Sequence, residues 1–199
     1  MSHARMRKKL DASTVDPSMT SHKIGIVISS SRPTRIGHKV AQWVANLAPE
    51  GVEVDTIDLA QLDLPFLGEP EQPATGNYTM ASTVSWSERV RGYDGLIVTV
   101  PEYNAGYPAV LKNAIDTLHA EWNGLPIGTI GYGWGAAESA GRQFGEVLDR
   151  VQAVRLPGPG LSFGQHLSPE GEFLDEAPAD EVRGLYDQVV AAVRERVTV

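Results

Sequence analysis

The sequence predicts an α/β fold: a three-layer sandwich in which a five-stranded parallel sheet carries helices on both faces. Three observations lead there. Five short strand-like runs, near residues 24–28, 52–58, 95–100, 126–131 and 153–156, alternate with segments of helical periodicity. The third run, Gly95-Leu-Ile-Val-Thr-Val100, is continuously apolar, as a strand buried on both faces requires. The turns after the first, third and fourth runs carry hydroxyls, arginines, prolines and aromatics, which suits the ligand crevice at the carboxyl ends of such a sheet. At 199 residues the chain is long enough for one domain that buries its own core.

Residues 1–22 are polar and aperiodic, with Asp-Pro and several Ser and Thr, and are expected to form a disordered leader. The domain then occupies 23–199. Ile24–Ile28 reads as the first, central strand, and Val40, Trp43, Val44 and Leu47 mark the apolar side of the helix that follows. Val52–Asp58 alternates apolar and polar residues, as an edge strand covered on one face does. A long loop through Gly76 reads either as a segment with a function of its own or as a surface connection with one apolar anchor, Phe66. Thr79–Arg91 is predicted helical, with Val84, Trp86 and Val90 inward. After Val100, the spacing of Val110, Leu111, Ala114, Ile115 and Leu118 predicts a helix with Pro108 in its first turn. Pro126–Gly131 is the fourth strand, followed by a loop at 132–136 and a helix bearing Phe144, Val147, Leu148 and Val151. Ala153–Leu156 is a short fifth strand, and 157–171 reads as a Gly/Pro-rich loop with an extended piece near Leu161. A helix from Asp180 to about Val197 closes the chain.

The three loops supply the candidate site. In the first, Ser29, Ser30, Ser31, Arg32, Arg35, Ile36 and Gly37 place hydroxyls and two guanidinium groups at the start of a helix. The positive end of that helix and its unpaired N–H groups suit a phosphate. The loop matches neither an NTP-binding P-loop nor a dinucleotide fingerprint, so one terminal phosphate fits best. A Ser-rich capped turn with solvated arginines is the plainer alternative. In the second loop, Pro101, Glu102, Tyr103, Asn104, Ala105 and Gly106 offer backbone polar groups, an aromatic face and an amide, with Gly106 loosening the turn. These suit a flat ring with polar edges. In the third, Tyr132, Gly133 and Trp134 present backbone N–H groups to such a ring.

Composition excludes other chemistry. There is no cysteine, and the five histidines show no metal-ligand spacing, so no metal site is expected. A net charge of -8 argues against a nucleic-acid partner. No run of eighteen apolar residues spans a membrane, and a cytoplasmic location is expected.

Pro-Glu-Tyr-Asn at 101–104, followed by Pro108-x-x-Leu-Lys-Asn-Ala-Ile-Asp116, resembles the flavin loop of the NAD(P)H-dependent FMN reductases. Ser30 and Arg32 match that family's first loop, in which Ser29 replaces the usual glycine. The resemblance covers roughly residues 23–160. It implies a flavodoxin-like strand order 2-1-3-4-5, FMN as cofactor, and NADPH or NADH as reductant. It also implies a homodimer or homotetramer, and it places an arginine at Arg142. Hydride would pass to flavin N5 and electrons then to a small acceptor: a quinone, free flavin, azo compound or metal oxyanion. No catalytic side chain is expected, because the cofactor carries the chemistry. The flavin face would be bounded by Tyr103, Tyr107 and Trp134. Two other classes stay open at this point: a flavodoxin-type electron carrier, and a flavin-dependent redox regulator without NAD(P)H turnover.

Overall fold

The computed structural model describes residues 21–197; apart from Ser21 and His22, the expected leader lies outside them. The five strands are β1 (His22–Ile28), β2 (Val52–Asp58), β3 (Gly95–Pro101), β4 (Pro126–Gly133) and β5 (Val154–Ser162). All pairings are parallel and the order is β2-β1-β3-β4-β5, as the resemblance implied. Strand β1 begins one residue before Lys23, because His22 registers with Val52 and its N–H bonds to Gly51 C=O at 3.0 Å.

Among the described residues there are six α-helices, in chain order α1 (Gly37–Asn46), α2 (Leu59–Leu62), α3 (Ala81–Arg91), α4 (Ala109–Asp116), α5 (Glu138–Arg150) and α6 (Ala179–Val197). Helices α1 and α6 close one face of the sheet, with Val40, Val44, Leu185 and Val189 packed on Ile24, Ile26 and Ile97. Helices α3, α4 and α5 close the other, with Trp86, Leu111, Ile115 and Phe144 packed on Leu96, Val98 and Val100. The continuously apolar β3 is buried along its whole length because it lies between these two cores. Helix α6 approaches the sheet closely through strand glycines. A Cβ on Gly158 would lie 2.6 Å from Leu185, and one on Gly95 would lie 2.8 Å from Val189.

Several boundaries and contacts differ from the sequence expectation. Strand β2 meets both cores: Val52 and Val54 pack on the α1 side, whereas Ile57 joins the opposite cluster. In α3, Trp86 and Val90 are buried but Val84 is exposed, and Thr83 and Ser87 turn inward instead. Pro108 immediately precedes α4 in an extended conformation, so its fixed φ starts the helix from outside it. Phe66 is 79% exposed and anchors nothing. Leu59, Leu62 and Leu64 are the apolar anchors, and the Asn113 amide clamps the loop through Leu64 C=O, Pro65 C=O and Leu67 N–H. Strands β4 and β5 run further than expected, to Gly133 and Ser162. The two prolines of β5 are tolerated because it is an edge strand with a register shift opposite Thr129 and Gly131.

Candidate functional site

The carboxyl ends of β1, β3 and β4 lie side by side, since Ile28 registers with Thr99 and Pro101 with Tyr132. The turn after β1 is anchored first. Ser29 Oγ donates to Thr99 C=O at 2.7 Å, and Thr99 Oγ1 donates to Val27 C=O at 3.0 Å, stitching β1 to β3 beneath the loop. Ser30 is buried and its hydroxyl finds no partner among the described residues. The chain then turns, with Arg35 N–H bonding to Arg32 C=O at 3.1 Å. Ile36 precedes α1 and gives it no side-chain cap, and no acidic residue lies in its first turn. The positive end of α1 is therefore unopposed locally. Arg35 is held by Asp58, Nη2 to Oδ2 at 2.6 Å, while its buried Nε has no partner among the described residues.

Gly37 is the point where this turn closes. A Cβ there would lie 2.2 Å from Ser30 Oγ and 2.9 Å from the Tyr132 hydroxyl oxygen. A side chain there would have to displace both hydroxyls, which already occupy that place.

The turn after β3 is a tight reversal. Tyr103 N–H bonds to Gly106 C=O at 2.8 Å and Gly106 N–H to Tyr103 C=O at 3.1 Å. Asn104 and Ala105 between them take φ of 51° and 63°, the left-handed pair of a type I′ turn. The expectation that Gly106 loosens this loop is corrected: the left-handed positions fall on its two neighbours. Helix α5 holds the turn in place. Glu102 accepts from the N–H groups of Ser139 and Ala140 at 3.0 and 3.1 Å, and Gln143 donates to Ala105 C=O at 2.6 Å.

These turns line a cleft of about 780 Å³, within the usual range of small-ligand sites. Arg32, Thr34, Arg35, Ile36 and Lys39 line it from the first turn and α1, and Pro101 to Ala105 from the second. Tyr132, Gly133, Trp134, Gly135 and Phe163 line it from the ends of β4 and β5, and Pro169 and Glu170 from the segment before α6. Lys39 Nζ donates to Glu170 C=O at 2.7 Å, which joins that last segment to α1. Trp134 is 75% exposed and meets the Phe163 ring edge-on at 5.5 Å. Burial pushes the Tyr132 phenol up to about 12. Burial also raises Tyr103, against the pull of Arg32 and Arg35. Both phenols are thus protonated donors at neutral pH.

Of the candidate residues, Arg32, Arg35, Ile36, Pro101 to Ala105, Tyr132, Gly133 and Trp134 line the cleft. Ser29 is a structural tie, Ser30 and Gly37 lie beneath the wall, and Ser31 lines a smaller neighbouring cavity of about 230 Å³. The Glu102 carboxylate caps α5. Tyr107 packs on Phe144 at 5.5 Å and is not part of the cleft wall, correcting the expected boundary of the ring face. Arg142 lines a separate groove with Arg155 beside β5. Tyr132 and Gly133 belong to β4 and not to a loop. Sequence reasoning missed Thr34, Lys39, Gly135, Phe163, Pro169 and Glu170. Thr34 and Gly135 stand inside two of the recognised loops, and Lys39 two residues past the first.

A family model described as NADPH-dependent FMN reductase matches residues 22–167. An NAD(P)H-dependent FMN reductase of Schizosaccharomyces pombe is 37% identical over 115 residues, spanning 56% of this chain and 58% of that protein. A 2-hydroxy-1,4-benzoquinone reductase of Burkholderia is 30% identical over 184 residues, spanning 87% of this chain and 97% of the relative. The solved structure of a flavoenzyme NAD(P)H:(acceptor) oxidoreductase from Paracoccus denitrificans shares the fold, with a TM-score of 0.69 at 24% identity over 87% of this chain and 98% of that one. With this sheet order, with turns gathered into one cleft and with a match running from β1 past the end of β5, the chain belongs to the NADPH-dependent FMN reductase family.

Proposed function

We propose that this chain oxidises NADPH or NADH and reduces a small flat acceptor, with FMN held in the cleft. When bound, FMN supplies the site that accepts a hydride and gives up electrons. The observation that carries this reading is the polarity of the cleft. Its first turn concentrates Arg32, Arg35, the uncapped start of α1 and two buried donors without partners, while its other walls are Tyr103, Trp134 and Phe163. The first end suits a phosphate dianion and the second a planar ring. Ser30, Arg32, Arg35 and the α1 N–H groups would hold the phosphate. Tyr103, Asn104, Ala105, Gly133 and Trp134 would flank the ring. The remaining work of the protein is to bind, orient and exclude water.

The relatives favour a quinone as acceptor, since the Burkholderia protein is named a 2-hydroxy-1,4-benzoquinone reductase. One cleft leaves room for one flat partner beside the ring, so nicotinamide and acceptor take turns in it. NADPH oxidation with a benzoquinone acceptor is the test, and double-reciprocal plots at several quinone concentrations are expected to be parallel. Intersecting lines, or no turnover with any acceptor, would count against the proposal.

The proposal extends to a cytoplasmic setting and to a homodimer or homotetramer. Phe66 supports an assembly, being a fully presented aromatic on a loop that Asn113 holds fixed. Among the described residues, no helix is long and apolar enough to cross a membrane. Light scattering on a Phe66→Asp variant is expected to report a smaller species than the parent protein, and an unchanged mass would remove Phe66 from the interface.

A further inference from the structure

We infer that Tyr132 binds the phosphate of the flavin through its phenol, as a donor that joins the Ser30 hydroxyl beneath the first turn of the cleft. This rests on the reading that FMN occupies the cleft. It departs from the role that the sequence suggests for residue 132, a backbone N–H directed at the ring. Tyr132 lies inside the sheet, registered with Pro101 on one side and Leu161 on the other, so the strand ladder claims its backbone. Its side chain is what remains available. Tyr132 as a whole is 4% exposed, yet it still lines the cleft.

The geometry at Gly37 locates the phenol. The Tyr132 oxygen and Ser30 Oγ lie 2.9 and 2.2 Å from the place a Cβ on residue 37 would occupy, so the two oxygens meet at one point under the start of α1. A methyl group there would collide with both, and glycine lets the two oxygens sit against the start of the helix. Ser30 Oγ is buried with no partner among the described residues, and so is Arg35 Nε. A buried donor without an acceptor costs free energy, and two at one end of a cleft call for an acceptor with several oxygens. A phosphate monoester supplies that, with charge that strengthens each bond. The phenol completes the set as a neutral donor, because burial holds its proton well above neutral pH.

The test compares FMN with riboflavin, which carries the same ring and ribityl chain without the phosphate. Each is titrated against the parent protein and Tyr132→Phe, following flavin fluorescence. The substitution removes one oxygen and keeps the ring that packs under the turn. FMN affinity is expected to fall roughly tenfold or more, as for a lost hydrogen bond to a charged group, while riboflavin affinity stays put. Ser30→Ala is the second arm and shows the same selective loss, since both hydroxyls meet one anion. Equal loss for both flavins, unchanged FMN affinity in Tyr132→Phe, or selective loss in Ser30→Ala alone overturns the role of Tyr132. A parent protein that binds riboflavin as well as FMN overturns the cofactor reading, and the inference falls with it.

Discussion

Asn104 and Ala105 hold the left-handed conformation that glycine takes at least cost, and they do so in the wall of the cleft. Asn is suited to it because its short amide tolerates this region. A larger apolar residue at 104 loses that tolerance and adds bulk at the cleft. Asn104→Leu is expected to lower stability by about 1 kcal/mol and to release FMN more readily, read from urea midpoints and retained flavin. A variant with the parental midpoint and full flavin would show that the turn does not depend on Asn104. Arg32 acts differently, as an exposed cation at the mouth of the phosphate turn. Arg32→Ala is expected to weaken FMN binding by about 1.5–3 kcal/mol without lowering stability. Unchanged affinity would take Arg32 out of the site.

The elements around the cleft are tied together by side chains whose roles run between elements. Glu102, at the end of β3, caps α5, whose own start is formed by left-handed Ala136 and Ala137. One carboxylate thus joins the second turn to the third. Glu102→Ala is expected to cost about 1 kcal/mol, the usual value of a lost cap, and to speed flavin dissociation measured by stopped flow. A variant with unaltered stability would show that water replaces the cap. The sequence revealed the turns but not these ties. Ser30, Arg32 and Tyr103 were legible because hydroxyls, cations and an aromatic beside a strand end have few other uses in combination. Glu102 was legible as a residue of the site but not as a cap, since the α5 residues it bonds lie 37 and 38 positions away. The Phe163–Glu170 wall was illegible for another reason. It has no periodicity, and its place follows from β5 continuing through Pro157 and Pro159, which local propensity reads as loop. Phe66 failed as an anchor because an apolar residue in an aperiodic loop carries no information about which way it faces.

At the scale of the molecule, Glu121 is a knot beneath the α3 face. Its carboxylate accepts from Ser87 and Arg91 of α3, each at 2.7 Å, and from the Tyr78 hydroxyl at 2.9 Å. Burial alone would raise its pKa, but the bonds from Ser87, Arg91 and Tyr78 outweigh this and hold it at about 2, against an ordinary 4.5. The folded protein therefore binds this proton more weakly than the unfolded chain. The contribution is complete above about pH 4.5, declines below it, and is gone near pH 2. Urea unfolding between pH 6 and 3 is expected to show stability falling with pH. Glu121→Gln should be less stable at pH 6 and flatter across the range, and a parallel profile would assign the acid sensitivity elsewhere. The seating of α6 on the strand glycines has a different bearing, on time. Leu185 and Val189 reach into β3, β4 and β5, which are made long before them. A chain growing from its amino end therefore carries a sheet with part of one face uncovered until α6 is synthesised. During that interval Ile97, Ile130 and Leu161 face water, and a product that stops short of α6 keeps them so. Such a product is a target for chaperones or for clumping with its own kind. Docking of α6 is thus the step that closes this face of the sheet.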